Sequence, residues 1–289
     1  MKSMVEIGHS FNAHAPDYER AAAIQFEIGQ RLFERLDYLK ITPRFILDLG
    51  CGPGVFLKQL KKRYPKAHIV ALDIAHAMLV AANAKQPWLK KWDLVNADMQ
   101  QLPFASGQFD LIVSNQVIHW ADSLPALVKE LNRVMHPGGC LLFSTLGPDT
   151  FQELRSAFKQ ADAYEHVNEF YDMHHIGDCL VSELFEDPVV DMEILTAHYS
   201  TLTDLLRSLK AQGVKNIHKQ RNPGLTGKHS WRKFEQAMAA FKTETEKYPL
   251  TYEVVYGHAW KSQRHRSQHG IEASFSVADL KASLVKKDL

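Results

Sequence analysis

The sequence predicts an α/β fold built on a doubly wound, seven-stranded, mostly parallel sheet. Short apolar segments alternate with helical segments between residues 45 and 146, and short turns join them. This alternation is typical of parallel strands with helices on both faces of the sheet. Two later segments, 189–199 and 250–260, alternate like half-buried strands and predict a closing hairpin. Residues 1–40 have helical periodicity and predict an N-terminal helical lid.

The individual elements follow from apolar periodicity and from turn residues. An apolar stripe at helical spacing marks the N-terminal helices, and Thr42-Pro43 ends it. Buried strands are expected at 45–49, 68–72, 94–96, 109–113 and 140–146. Helices are expected at 55–63, 75–84, 124–135 and 149–163, the last of them capped by Asp149 or Thr150.

This order of elements predicts one domain over residues 1–260. Residues 1–40 would form the lid, and residues 41–147 the core that binds a ligand. Residues 200–249 would form a basic helical insertion before the last strand, and residues 261–289 a C-terminal tail.

The bulk composition excludes several classes of protein. A net charge of +1 over 289 residues gives no global attraction to nucleic acid or to a membrane surface. No apolar run approaches the roughly 18 residues of a membrane span, and no segment of signal type opens the chain. The cysteines have no paired spacing and the histidines form no convincing ligand set. We therefore expect no disulfide, no metal site and a cytoplasmic location.

A glycine-rich turn follows the first predicted strand. Gly50, Gly52 and Gly54 come after Asp48, and Cys51 lies between the first two. Glycine lets a chain turn sharply from strand to helix and pass close to a ligand. The dinucleotide fingerprint, Gly-x-Gly-x-x-Gly, would place its third glycine at position 55. Val55 occupies that position, which disfavours a dinucleotide as the ligand.

Acidic residues end the first three predicted strands. Asp48 could face an ammonium group or cap the glycine turn. Asp73, before Ile74, could accept from both hydroxyls of a ribose or cap the next helix. Asp98 could accept from an adenine amino group beside Met99, or it could be a turn residue. Parallel strands bind ligands at their carboxyl ends, so the joint pattern favours a ligand that carries all three groups.

This pattern resembles the class I S-adenosylmethionine (SAM)-dependent methyltransferases over about residues 40–147. The resemblance implies SAM as the cofactor and makes residues 41–147 a SAM-binding core. The expected cofactor-binding residues lie in the glycine turn, at the strand ends and at the end of the fourth strand: Asp48, Gly50, Cys51, Gly52, Gly54, Asp73, Ile74, Asp98, Met99 and Asn115.

The end of the fourth predicted strand and the loop after it offer candidates for catalysis. The loop lacks the paired prolines and the aromatic residue of enzymes that methylate exocyclic amino groups, which disfavours DNA bases as acceptors. Ser114 and His119 are the candidate catalytic residues here. His119 could be a general base, or it could pack with Trp120 over the cofactor.

Motifs along most of the chain narrow the resemblance from a superfamily to one family. The chain is similar to the BioC family of malonyl-acyl carrier protein O-methyltransferases over about residues 10–260, in segments 11–18, 109–115, 170–178, 187–193, 206–213 and 224–228. This resemblance implies methylation of the free carboxylate of a malonyl thioester, an early step of biotin synthesis.

A carboxylate acceptor has its own requirements. It is ionised at neutral pH, with an ordinary pKa of roughly 4, so it needs no general base. It does need in-line placement against the methyl group and exclusion of water. We expect Tyr18 to close over the site, unless it only covers the core. We expect the planar fork of Arg155 to hold the carboxylate, unless it is a surface residue near Glu153.

A stretch with eight basic residues and no acidic residue, 207–233, lies in the predicted insertion. Acyl carrier proteins are strongly acidic, so we expect this run to dock one. A solvated helix–loop face is the first alternative. RNA binding is the second, and it is disfavoured because only Trp231 and Phe234 could stack on bases. No acidic residue lies within the run, which comprises Arg207, Lys210, Lys215, Lys219, Arg221, Lys228, Arg232 and Lys233.

Two other functions stay open at the level of sequence. A small-molecule carboxyl methyltransferase of the trans-aconitate type would share the core but would not need the basic run. A SAM-binding assembly factor for respiratory complexes would not methylate a small molecule. A mitochondrial transit segment would favour that last function, and none is evident.

Overall fold

The fold is a central sheet with helices on both faces. The computed structural model describes residues 4–89, 91–213 and 227–262. Within these residues the seven strands are β1 Phe45–Leu49, β2 His68–Asp73, β3 Asp93–Asn96, β4 Phe109–Asn115, β5 Met135–Leu146, β6 Phe185–Tyr199 and β7 Tyr248–Lys261. The α-helices are α1 Met4–Ala21, α2 Ala23–Glu34, α3 Leu57–Arg63, α4 His76–Ala84, α5 Leu124–Val134, α6 Gln152–Ala161, α7 Met173–Ser182, α8 Leu202–Ala211 and α9 Lys228–Ala239.

The sheet has the strand order β3-β2-β1-β4-β5-β7-β6. Its first five strands are parallel, and β7 pairs antiparallel with both β5 and β6. The prediction of a doubly wound, seven-stranded, mostly parallel sheet is therefore confirmed. The chain order reverses between β1 and β4, and sheets of this kind bind ligands outside the carboxyl ends of the strands at such a point.

Two hydrophobic cores form because successive strand residues face opposite sides of the sheet. On β1, Ile46 belongs to the core that includes residues of α2, α3, α6 and α9, whereas Leu47 belongs to the core that includes residues of α1, α5 and α7. Both side chains are fully buried. Continuous apolar strands of this kind are expected where both faces of a parallel sheet are covered.

The N-terminal helix α1 is held at two points along its length. The Asn12 side chain accepts a hydrogen bond from the Ala77 amide at 2.7 Å, which joins α1 to the start of α4. The Ser10 hydroxyl donates to the Gly213 carbonyl at 3.0 Å, just beyond α8. These contacts place α1 over the carboxyl ends of the central strands.

Helix α2 is tied to the outer hairpin by charged groups. Arg31 pairs with Glu193 at 2.6 Å, and Arg35 pairs with Asp191 at 2.8 Å. The Arg35 guanidinium also lies 3.7 Å from the ring centroid of Tyr256. Because these groups are partly exposed, they contribute mainly to orientation rather than to stability.

The predicted cap of the helix after β5 is wrong. Neither Asp149 nor Thr150 caps it, because α6 begins only at Gln152, after Phe151 in a left-handed conformation with φ of 59°. Both candidates instead contact β7. The Asp149 amide donates to the Glu253 carboxylate at 2.6 Å, and the Thr150 hydroxyl donates to the Glu253 carbonyl at 3.1 Å.

The described part of the chain can be searched for a membrane-spanning helix and for a metal site. No helix there is long and apolar enough to cross a membrane. In the same residues, no group of three or more histidine, cysteine, aspartate or glutamate side chains could hold a metal ion. The thiols of Cys51, Cys140 and Cys179 are free.

Candidate active site

The glycine turn bends the chain onto the end of β2. The Gly50 and Cys51 amides both donate to the Leu72 carbonyl, at 2.7 and 3.0 Å. Gly50 and Gly52 have positive φ, 71° and 52°. A Cβ on Gly50 would lie 2.2 Å from Val117, but a Cβ on Gly52 would meet nothing within 4 Å. The open side of Gly52 is therefore where a ligand can approach the backbone closely.

The carboxylate of Asp73 connects this turn to the start of α4. It accepts hydrogen bonds from the Gly52 amide at 2.9 Å and from the Ala75 amide at 2.8 Å. Burial raises its pKa to about 6, although the backbone hydrogen bonds act in the opposite direction. Asp73 thus orders the backbone near the start of the helix and also faces the cavity that the turn borders.

A second buried carboxylate lies one strand away. Asp48 is 7% exposed at the end of β1. Its burial, and then the charge of Asp73, raise its pKa to about 7. Two adjacent buried acids with raised pKa values favour a ligand that brings positive charge or hydroxyl donors.

Three adjoining cavities open at the carboxyl ends of the strands. We define the cofactor cavity by Phe11, Gly52, Asp73, Met99, Gln116 and Trp120. The loop cavity is defined by Tyr18, Gln25, Asp48, Cys51, Pro53 and Phe56. The inner cavity is defined by Gln25, Gln116, His119, Phe170, Gln212 and Tyr252.

Tyr18 lines all three cavities. Burial and the nearby negative charge of Asp73 raise the pKa of its hydroxyl to about 12, so this group is protonated at neutral pH. The tyrosine lies on α1, the predicted lid, and borders both the cofactor cavity and the inner cavity. Its position suits a residue that excludes water from a reaction between the two cavities.

The two residues predicted to contact adenine, Asp98 and Met99, have different surroundings in the structure. Met99 is buried and lines the cofactor cavity together with Ile74. Asp98 does not line that cavity in the described residues, and it accepts from the Gln100 amide at 2.8 Å. This hydrogen bond favours the alternative in which Asp98 shapes the turn after β3.

At the end of β4, the two neighbouring candidates have different surroundings. Asn115 lines the cofactor and loop cavities, and its amide donates to the Gln25 carbonyl at 3.2 Å. Ser114 is fully buried, and its hydroxyl donates to the Leu49 carbonyl at 3.3 Å. Strand alternation turns Ser114 away from the cavities, so its predicted catalytic role has no support in the structure.

His119 and Arg155 also differ in position. His119 lines the inner cavity, where its Nδ1 lies 3.3 Å from the Thr145 hydroxyl. Arg155 lines none of the three cavities. Its guanidinium donates to the carbonyls of Pro148 at 2.6 Å and Thr150 at 3.3 Å. The prediction that Arg155 holds a substrate carboxylate therefore gains no support from the structure, because two of its donors bind the loop before α6.

Three glutamines that line the inner cavity, Gln25, Gln116 and Gln212, were not among the predicted site residues. Gln116 has a positive φ of 57°, and Gln25 donates to the Gln212 side chain at 2.9 Å. Glutamine in a loop or on a helix has no pattern that marks a site. Only the spatial meeting of β4, α2 and the end of α8 brings these side chains together.

The comparisons with known proteins agree with this site. A family model described as a methyltransferase domain matches residues 47–143, which include the glycine turn and Asp73. A SAM-dependent methyltransferase from Thermotoga maritima has a similar fold, with a TM-score of 0.52 and 15% identity, over 89% of this chain and 100% of that one. Fold and site together define a class I SAM-dependent methyltransferase, and SAM is its methyl donor.

Two curated relatives define the family more narrowly. A malonyl-[acyl-carrier protein] O-methyltransferase from Legionella pneumophila is 60% identical over 94% of this chain and 96% of that protein. A protein of the same name from Gallionella capsiferriformans is 41% identical over 93% of this chain and 95% of that protein. The chain belongs to the malonyl-acyl carrier protein O-methyltransferase family.

We expect the affinity for SAM to rise with pH from about 5.5 to about 7 and to change little from there to about 8. We expect the ligand ammonium to face Asp48 and to favour its ionised form, so that binding below the free pKa of about 7 releases a proton. Affinity should rise up to about tenfold per pH unit below that value and level off above it. Calorimetric titration with S-adenosylhomocysteine (SAH) measures this. Asp48→Asn should flatten the profile, and an affinity that falls with pH would contradict the assignment.

Proposed function

We propose that this enzyme transfers the methyl group of SAM to the free carboxylate of malonyl-acyl carrier protein. The product would be the malonyl methyl ester that starts pimeloyl synthesis for biotin. The observation that carries this proposal is the 60% identity to a malonyl-[acyl-carrier protein] O-methyltransferase over nearly the whole of both chains. An inner cavity beside the cofactor cavity supports it, because it offers space for an acceptor next to the methyl donor.

The chemistry requires little of the protein beyond placement. A lone pair on the acceptor carboxylate oxygen attacks the methyl carbon, and the carbon–sulfur bond breaks with its electron pair going to sulfur. The products are the methyl ester and SAH. No proton moves, because the carboxylate is already ionised at neutral pH. In-line orientation of this kind is worth about 7–11 kcal/mol, and it is what the cavity walls must supply.

The cofactor cavity has features that fit SAM. The open side of Gly52 and the carboxylate of Asp73 would hold the ribose and its neighbouring backbone. Asp48, in the adjoining loop cavity, would face the ammonium group. Met99 and Ile74 would pack against the adenine. His119 would shape the inner cavity rather than act as a base, since the acceptor needs none.

The acyl carrier protein would dock on the basic run. Arg207 and Lys210 are exposed on α8, and Lys228, Arg232 and Lys233 are exposed on α9. Gln212, one residue beyond α8, lines the inner cavity, so the α8 part of this surface adjoins the acceptor site. The other members of the run, Lys215, Lys219 and Arg221, lie outside the described residues.

Stacking of RNA bases on this surface has little support. Phe234, one of the two aromatic candidates, is fully buried, and its ring stacks on Phe158 with centroids 4.0 Å apart. That leaves Trp231 as the partly exposed aromatic of the pair. A single aromatic suits a protein-docking face better than a nucleic-acid platform. We therefore rank the carrier protein above RNA as the partner. We also propose that the reaction takes place in the cytoplasm, as expected from the spacing of the cysteines.

Charge reversal on this surface tests docking. Lys210→Glu should lower kcat/KM on malonyl-acyl carrier protein by about three- to tenfold, because it weakens attraction to an acidic partner at the rim. The same variant should leave kcat/KM on malonyl-CoA within about twofold. Lys66→Glu serves as the control. Lys66 is exposed just before β2, which lies near the end of the sheet opposite β6. Equal loss on both substrates would count against docking.

A direct assay tests the function itself. Purified enzyme with labelled SAM is offered malonyl-acyl carrier protein, malonyl-CoA and trans-aconitate, and methyl ester formation is measured. Transfer to the malonyl thioesters supports the proposal. Transfer to trans-aconitate alone favours a small-molecule enzyme, and no transfer to any acceptor favours an assembly role. Rescue of a biotin-requiring strain that lacks this activity gives an independent readout.

A further inference from the structure

Among the described residues, no lysine or arginine lines the inner cavity. Neither lysine nor arginine occurs among the described residues that line it or the two adjoining cavities. Arg155, the expected partner, donates to the Pro148 and Thr150 carbonyls instead. The described lining therefore offers neutral donors to an acceptor carboxylate in the inner cavity.

Gln116 is held in an unusual backbone conformation at the boundary of two cavities. Its φ of 57° lies in the left-handed region, which costs a residue with a Cβ about 1 kcal/mol or more. Its amide donates to the Ser144 carbonyl at 3.0 Å and to the Ser144 hydroxyl at 3.1 Å, which fixes this conformation. The same hydroxyl donates to Asn115 at 2.7 Å. Strained residues of this kind cluster where function requires a set orientation.

The side-chain amide of Gln116 is a buried donor with no partner in the part of the chain that the structure describes. Its Nε2 is buried and has no hydrogen-bond acceptor among the described residues. The side chain lines both the cofactor cavity and the inner cavity. A buried, unpaired amide donor is costly, and the cost is recovered when a ligand supplies an acceptor.

We propose that the Gln116 Nε2 donates a hydrogen bond to the acceptor carboxylate and orients it toward the methyl group. This inference rests on the proposed function and specifies how that site recognises its substrate. One neutral donor leaves the second oxygen and its lone pairs available for attack. A guanidinium fork would instead bind both oxygens and withdraw electron density from the nucleophile.

A second donor borders the same space. The Tyr18 hydroxyl is protonated at neutral pH because its pKa is raised to about 12. Tyr18 lines the inner cavity opposite the loop of Gln116. The positive charge of the sulfonium then supplies the electrostatic attraction that neutral donors lack.

The test compares three substitutions. Gln116→Glu keeps the size of the side chain but replaces the donor with a negative charge, and it should raise the KM for malonyl-acyl carrier protein at least about 100-fold. Gln116→Asn keeps an amide and tolerates positive φ, so it should retain more activity than the glutamate variant. Gln160→Glu adds the same charge on the exposed face of α6 and should change KM less than about twofold.

The readouts separate recognition from structure. In each folded variant the KM for malonyl-acyl carrier protein should rise by a larger factor than the dissociation constant of SAH, although Gln116 also lines the cofactor cavity. If the glutamate variant does not fold, Gln116→Ala should show a KM increase of about tenfold from the lost hydrogen bond. A KM within about threefold of the wild type in the folded variants would overturn the inference. Absence of transfer by the wild type would instead overturn the proposed function, so the two failures differ.

Discussion

Replacing Gly52 by alanine should weaken SAM binding about 30-fold, the effect of about 2 kcal/mol of steric overlap. Gly52 has φ of 52°, and its Cβ direction meets nothing within 4 Å, because it opens into the cofactor cavity. An added methyl group would occupy space that the ligand needs. Titration with SAH measures the loss. The melting temperature should fall only by a few degrees, since the left-handed alanine costs about 1–2 kcal/mol.

Gly107→Ala is the matched control for this experiment. Gly107 also has positive φ, 72°, and a Cβ there would lie no closer than 3.9 Å to any atom, the Met135 carbonyl oxygen. Gly107 precedes β4 and so lies at the amino end of that strand, whereas the cofactor cavity lies at the carboxyl ends of the strands. The backbone penalty is thus the same, but the ligand is untouched. If both variants lost SAM affinity equally, the open side of Gly52 would not be the ligand contact.

Replacing Tyr18 by alanine should lower kcat/KM for methyl transfer at least about 100-fold, the loss expected when a reacting group is misplaced by about 1 Å. Tyr18 borders the cofactor, loop and inner cavities at once, so its removal merges them and admits water. Steady-state kinetics with labelled SAM measures the effect. Tyr18→Phe keeps the ring and should lose only about tenfold, the value of one hydrogen bond.

The control for this variant is another tyrosine. Tyr38 is 84% exposed beyond the N-terminal helices, and Tyr38→Ala should leave kcat/KM unchanged. Equal activity of Tyr18→Ala and the wild type would show that α1 does not complete the site. A loss of activity with unaltered SAH affinity would place the effect on the acceptor side of Tyr18.

The fold was largely predictable because its signals are local. The apolar run of β1, for example, is visible in five consecutive residues. Helix α7, Met173–Ser182, was not predicted. Its N-cap residue, Asp172, accepts from the His174 amide, but its apolar stripe is short and interrupted by histidines. Its burial is set by packing on β6 and α5, which no local pattern encodes.

The candidate site divides along the same line. The glycine turn and Asp73 could be placed from sequence because a strand end fixes where the next side chains lie. Arg155 and Ser114 could not, because the direction of a side chain depends on backbone geometry that composition does not reveal. Gln116 is the clearest case, since its importance lies in a positive φ and an unpaired amide.

The hydrogen bond between Gln25 and Gln212 has a consequence for how the chain folds. Its two side chains are 187 residues apart in sequence, yet both border the inner cavity. A chain that has formed only β1 to β5 would hold the glycine turn but no complete acceptor site. Contacts of such high sequence separation form late, because closing long loops costs entropy. During refolding, methyl-transfer activity should therefore recover later than SAM binding.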